Sequence, residues 1–342
     1  MRSSWGKVIL SVRAMIGVER GEAALVLSMF AHLLLISVAR AYLSVSSYSL
    51  FVSELGASSL PQAYLATGVV LVVVSFAYIR LQRRLQWRFL FAATLAFVAF
   101  FSLVCRFFAA EPGGGWSVLI LPVWYETMWV LTNIEFWSLA THLFDPGQGK
   151  RLFGILAAGR PAGEILAGLL TPWLTSLLGT ANLFLVSAAI TALNLGLLYF
   201  IFRLARPLPQ RSSAPLPLAL LSGEGNLWRR FRGGRYAWLI LAHVAGCWFA
   251  FFILDRIFYD YSSTRYPYAD ELTSILGTVL WITAVAGFLG SLLTTRLIIR
   301  RIGIENTVFM MPLALIVASI LAAYFAISDP GMDKIFFAIL NG

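Results

Sequence analysis

The sequence predicts an all-α polytopic membrane protein, with a bundle of six helices followed by a partial second bundle of three to four. Three observations carry that prediction. The 342 residues are 59% hydrophobic and only 12% charged, with a mean hydropathy of +0.81, a balance suited to lipid rather than water. The apolar residues fall into runs of about 20, the length that crosses a bilayer as a helix. Basic residues recur in every second loop between those runs. The formal charge of +10 is therefore spread over short loops, the pattern of membrane topology and not of nucleic-acid binding.

Taken in order, residues 1–22 place Trp5, Val8, Ile9, Val12 and Ile16 at helical spacing with Lys7, Arg13 and Arg20 between them. This segment reads either as an amphipathic helix on the cytoplasmic membrane surface or as a basic tail. The first apolar run is too long for a removable leader and lacks a small-residue cleavage site. Nine spans follow, at about 23–43, 63–79, 89–108, 116–143, 152–178, 181–202, 236–259, 271–299 and 305–327, and a tenth apolar segment begins at Lys334. Residues 23–202 form the first bundle, 203–235 a cytoplasmic linker, and 236–342 the partial second bundle. The linker holds Pro207, Pro209, Pro215 and Pro217 among its arginines, a composition that keeps a segment out of a packed core.

One set of loops receives Arg80, Arg83, Arg84, Arg88, Lys150, Arg151, Arg203 and Arg300, while the other receives Glu54, Glu111, Asp260, Asp270 and Glu271. By the positive-inside rule the N-terminus is cytoplasmic. Across the linker a weak repeat pairs Ala31-His32 with Ala242-His243, and Arg40 with Asp255.

Residues 116–178 concentrate charge where lipid disfavours it. The fourth span carries Glu126, Asn133 and Glu135, and the fifth carries Arg160 and Glu164. Each charge at the centre of a membrane helix costs about 2.5–3.5 kcal/mol even on lenient scales, so these groups call for partners or for function. Counting inward from the turn Asp145–Arg151 at about 1.5 Å per residue places Glu135 and Arg160 at similar depth, so they are expected to pair. Arg160 and Glu164 are also i, i+4 neighbours. These three residues form the expected structural charge network. Pro161 is expected to kink the fifth helix, and Gly159, Gly163 and Ala167 give it a small-residue packing face. His32 and His243 read as packing residues or proton carriers.

The sequence holds no Gly-rich phosphate loop with Lys-Ser/Thr, no His-Glu-x-x-His and no Ser/His/Asp set at a shared depth. Cys105 and Cys247 lie inside apolar runs without metal-ligand spacing. The reading is therefore of a protein that is not an enzyme and needs neither cofactor nor metal.

The run Glu126-Thr-Met-Trp129, then Phe136-Trp137-Ser-Leu-Ala140, then Lys150-Arg151-Leu-Phe153-Gly154 resembles the ATP/ADP translocase branch of the major facilitator superfamily. Gly159, Gly163 and Gly168 continue the resemblance, as do Gly21-Glu22, Leu60-Pro61 with Tyr64, and Asp255. It implies two bundles of six helices or thereabouts, of which this chain carries the first and part of the second, and helices 1 and 4 lining a central cavity. The chain departs from the translocases in having three lysines, none within a span. Arg40 stands where they place a cation in span 1, and Tyr259 where they often place a lysine in span 7.

On this reading Arg40, Glu126, Asn133 and Asp255 are the candidate substrate-binding residues. Arg40 and Glu126 are expected to form a charge pair in the central cavity, either switching with substrate or permanently bracing the bundle. Asp255 with Arg256 is either a cavity pair or an interfacial pair. The function expected is secondary transport of a small organic anion such as a nucleotide, across the bacterial inner membrane. The alternative is a transporter-derived scaffold or subunit of a larger membrane complex, in which the partners would be proteins as well as the bilayer.

Overall fold

The structure, a computed structural model, describes residue 19, residues 21–109, 115–205 and 235–293, and 312, 313, 316, 317 and 320. The N-terminal amphipathic segment, the linker, most of the ninth span and the segment from Lys334 lie outside the described residues.

Every regular element among the described residues is helical. The long helices are α1 (Ala23–Leu55), α2 (Leu60–Arg84), α3 (Trp87–Phe108), α4 (Ile120–Leu143), α5 (Pro146–Ala157), α6 (Gly159–Leu178), α7 (Leu183–Leu204), α8 (Arg235–Arg265) and α9 (Ala269–Leu293). Seven helical stretches among the described residues are long and apolar enough to cross a membrane. α4 has comparable length, with 24 residues, but spends positions on Glu126, Asn133, Glu135 and His142.

α1 is the axis. It has 33 residues, about 50 Å of helix, and it packs on α4, α6, α7 and α9. The polar run after Arg40, expected as a break after residue 43, stays helical to Leu55, and Ser46, Ser47, Tyr48 and Ser49 are all buried. Ser46 turns its hydroxyl back onto the Tyr42 carbonyl at 2.6 Å, satisfying itself within the helix. Gly56, with φ +75°, stops α1 in a conformation that other residues rarely adopt.

The two ends of the bundle are fixed by side-chain contacts. At the basic end Glu22 accepts from Arg151 at 3.2 Å, and Trp87 at the start of α3 stacks on His142 and abuts Phe202. At the opposite end Arg106 donates to Asn182 at 2.7 Å, and the Thr180 amide donates to Asp270 at 2.7 Å.

The expected turn Asp145–Arg151 is shorter than the sequence suggested. A capping box between Asp145 and Gln148 starts α5 at Pro146. The fifth span then breaks at Ala158. Pro161 lacks the N–H that would bond the Ala157 carbonyl, so the break falls one turn before the proline. α6 beyond the break lies against two helices through small residues. A Cβ on Gly163 would lie 2.6 Å from the Leu34 carbonyl oxygen of α1, and one on Gly168 would lie 2.6 Å from the Gly277 oxygen of α9. The expected packing face is there, and Gly168 adds a second one.

Candidate functional site

The buried polar groups sort into three clusters strung along α1. Near the basic end His32 lies between two partners. Its Nε2 is 3.2 Å from Glu135 and its Nδ1 is 2.8 Å from Asn194 of α7. Asn194 also donates to the His32 carbonyl at 3.3 Å. His32, Glu135 and Asn194 are all fully buried. In mid-helix, Arg40 forms an ion pair with Glu164, and the same carboxylate oxygen accepts from Arg160 Nε at 3.1 Å. Towards the opposite end the Tyr48 hydroxyl donates to Glu126 at 3.1 Å, and the Tyr64 hydroxyl donates to Asp255 at 2.5 Å.

Two expected pairings are therefore corrected. Glu135 pairs with His32 and not with Arg160, and Arg40 pairs with Glu164 and not with Glu126. Helix length explains the first. With α5 starting at Pro146, Arg160 lies 14 residues from the basic end, about 21 Å deep. Glu135 lies only 8 residues from the end of α4, about 12 Å deep. His32, 9 residues into α1, matches Glu135. Arg40 and Glu126 each lie 17 residues from the basic end of their helices, so depth alone does not part them; α6 brings Glu164 to Arg40 instead. Glu126 instead accepts from Tyr48, about two turns further along α1 than Arg40. The Arg160–Glu164 pair within α6 is as expected. Asp255 is buried in a chamber wall while Arg256 is exposed, so the two do not form the interfacial pair that the sequence left open.

The last two clusters open onto two chambers. The smaller, of about 200 Å³, is lined by Arg40, Asn133 and Arg160 with Trp129 and Trp137. The larger, of about 500 Å³, lies between α1, α2 and α4 on one side and α8 and α9 on the other. Glu126 and Asp255 line it, with Tyr48, Tyr64, Tyr125 and Tyr259, and Trp129 belongs to both linings. The four candidate binding residues thus divide between the chambers: Arg40 with Asn133, and Glu126 with Asp255. Glu135 lines neither, in keeping with a structural role; Arg160, expected to be structural only, lines the smaller one.

Sequence reasoning passed over the tyrosines and Asn194. A lone asparagine in the apolar run of the sixth span was itself a signal, because an amide in hydrocarbon needs a partner. Tyr48 lies beyond residue 43, where the hydropathy pattern ends the first span, in a stretch that reads as a loop.

Apolar helices long enough to span a bilayer, with chambers at the seam between one set and the next, define the class of polytopic α-helical membrane proteins. The chain belongs to the major facilitator superfamily, whose model matches residues 138–342, more than half of it. It is similar to the ADP,ATP carrier protein 3 of Rickettsia prowazekii (strain Madrid E) and that of Rickettsia typhi (strain ATCC VR-144 / Wilmington). Each is 25% identical over 182 residues, covering 44% of this chain and 36% of the relative. The matched part of the chain thus spans about a third of those relatives' length.

Proposed function

We propose that the chain moves a small organic anion across a membrane by alternating access, as a secondary transporter. The observation that supports this best is the sharing of one carboxylate by two arginines. Glu164 neutralises one charge of Arg40 and Arg160, so the smaller chamber keeps an excess positive charge. Guanidinium groups offer paired N–H donors that suit carboxylate and phosphate oxygens. Trp129 and Trp137 add flat faces beside them. The similarity to ADP,ATP carrier proteins makes a nucleotide the first anion to try. The positive-inside rule supports a cytoplasmic basic end and N-terminus, and the reading takes the membrane to be the bacterial cytoplasmic one.

Uptake of radiolabelled ATP, ADP and simple organic anions into vesicles loaded with unlabelled anion tests the reading. Arg40→Ala should abolish uptake while the protein still elutes as a folded species. Uptake unchanged in Arg40→Ala removes Arg40 from the mechanism. No uptake of any anion by the unaltered protein, together with its isolation in fixed ratio with other membrane proteins, overturns the transport reading in favour of a scaffold.

A further inference from the structure

The larger chamber has the opposite chemistry from the smaller one, and we infer that it binds an organic cation carrying an ammonium group. Among the described residues lining it no Lys, Arg or His occurs, whereas Glu126 and Asp255 both do. An anion placed here would face two carboxylates, a juxtaposition that costs several kcal/mol. The carboxylates are each held on one side only. Tyr48 bonds Oε1 of Glu126 and Tyr64 bonds Oδ2 of Asp255, which leaves Oε2 and Oδ1 without a protein partner among the described residues. Asp255 is more than nine-tenths buried and belongs to the chamber wall.

The remaining wall selects the kind of cation. Tyr48 stacks on Tyr259 at 4.9 Å, Tyr64 on Phe252 at 4.4 Å, and Tyr125 meets Tyr48 edge-on at 5.7 Å. Trp129 and Trp248 complete the aromatic lining. Ring faces attract alkylammonium groups. A Ca²⁺ or Mg²⁺ ion instead needs six or more converging oxygens, and a cavity of about 500 Å³ is far larger than such an ion. Tyr64 and Asp255 join α2 to α8 across the seam, so a cation drawn to Asp255 acts at the interface between the two sets of helices.

This assignment goes beyond anion transport and does not depend on it, because the test reads equilibrium binding. The full-length protein in detergent is titrated with tetraethylammonium chloride while tryptophan fluorescence is followed, Trp129 and Trp248 being in the wall. Saturable quenching is expected, with sodium chloride at the same concentration giving none. Glu126→Gln and Asp255→Asn should each weaken binding by about tenfold, the worth of one charged partner. Thr283→Lys, which tethers an ammonium at the wall and leaves both carboxylates in place, should abolish it. Binding of the same strength in the Glu126→Gln/Asp255→Asn double variant overturns the inference. So does the absence of saturable binding to the unaltered protein, or equal binding of sodium.

Discussion

Replacing Gly277 by alanine should force α6 and α9 apart. The new Cβ would lie 2.4 Å from the Cβ of Thr171 and 2.5 Å from its Cγ2, whereas carbon atoms in contact sit at about 3.5–4.0 Å. The helices must therefore separate by roughly 1 Å. Thr171 has little freedom to yield, since it is fully buried and its hydroxyl bonds the Ala167 carbonyl at 2.8 Å. One turn away Gly168 is packed as tightly against Gly277 and Trp281, so the strain has no local outlet. Overpacking of this kind costs about 1–3 kcal/mol, against a gain of about 0.5–1 kcal/mol for alanine over glycine in a helix. The net expectation is a loss of about 1–2 kcal/mol, read as a fall in Tm of a few degrees in detergent. The same helix provides the control. Gly287 has nothing within 4 Å of its would-be Cβ, so Gly287→Ala should be neutral or stabilising. A second readout is the labelling of Thr180→Cys by a membrane-impermeant maleimide, which should rise when Gly277→Ala is added. Equal Tm values for the two alanine variants, with unchanged labelling, would refute the account of the α6–α9 contact.

Other perturbations address the polar clusters. His32→Leu should cost about 3–5 kcal/mol, because it strands the buried Glu135 carboxylate, and His32→Leu/Glu135→Leu should recover most of that loss; thermal melts of both variants decide it. Glu164→Gln leaves Arg40 and Arg160 without their shared counter-charge, so nucleotide binding by the purified protein should tighten, and weaker binding would separate the arginines from anion recognition. Asp145→Ala removes the capping box and should lower stability by about 1 kcal/mol. Arg151→Ala, on the partly exposed pair with Glu19 and Glu22, should change it by under about 1 kcal/mol.

The helices were legible in the sequence because apolar runs of bilayer length are unambiguous, and α3 was bounded to within two residues at its N-terminus and to the residue at its C-terminus. The ends of α1 and α5 were not, since their boundaries are set by local chemistry that mean hydropathy ignores. The Ser-Tyr run continues α1 because its hydroxyls are buried against neighbouring helices, and the Asp145–Gln148 cap starts α5 earlier than the charged residues suggest. The early start of α5, six residues before the predicted one, was enough to misassign the Glu135–Arg160 pair, because each residue shifts depth by about 1.5 Å. Which residues carry misplaced charge was evident from sequence; which partner each one takes was not. The split of Arg40 and Glu126 into chambers of opposite charge depends on α8, whose Asp255 is brought beside Tyr64 only by tertiary packing.

α6 is the element on which an alternating-access mechanism of the proposed kind must turn. It touches α1 through Gly159 and Gly163 and α9 through Gly168, so it belongs to both sets of helices at once. At each of these contacts the glycine lets the neighbouring helix bring its backbone close, beside the Cβ of Leu33, Ser37 or Trp281. Beyond the glycines, Thr180 closes the end opposite the basic loops by bonding both Asp270 and Thr273. The same helix presents Arg160 and Glu164 to Arg40 half-way down. An anion that competes with Glu164 for Arg40 loosens the polar tie between α1 and α6, while the glycine contacts remain. On the proposed mechanism this would couple substrate binding to the relative position of α1 and α9 through one helix, and Glu164 is the residue whose loss should uncouple them.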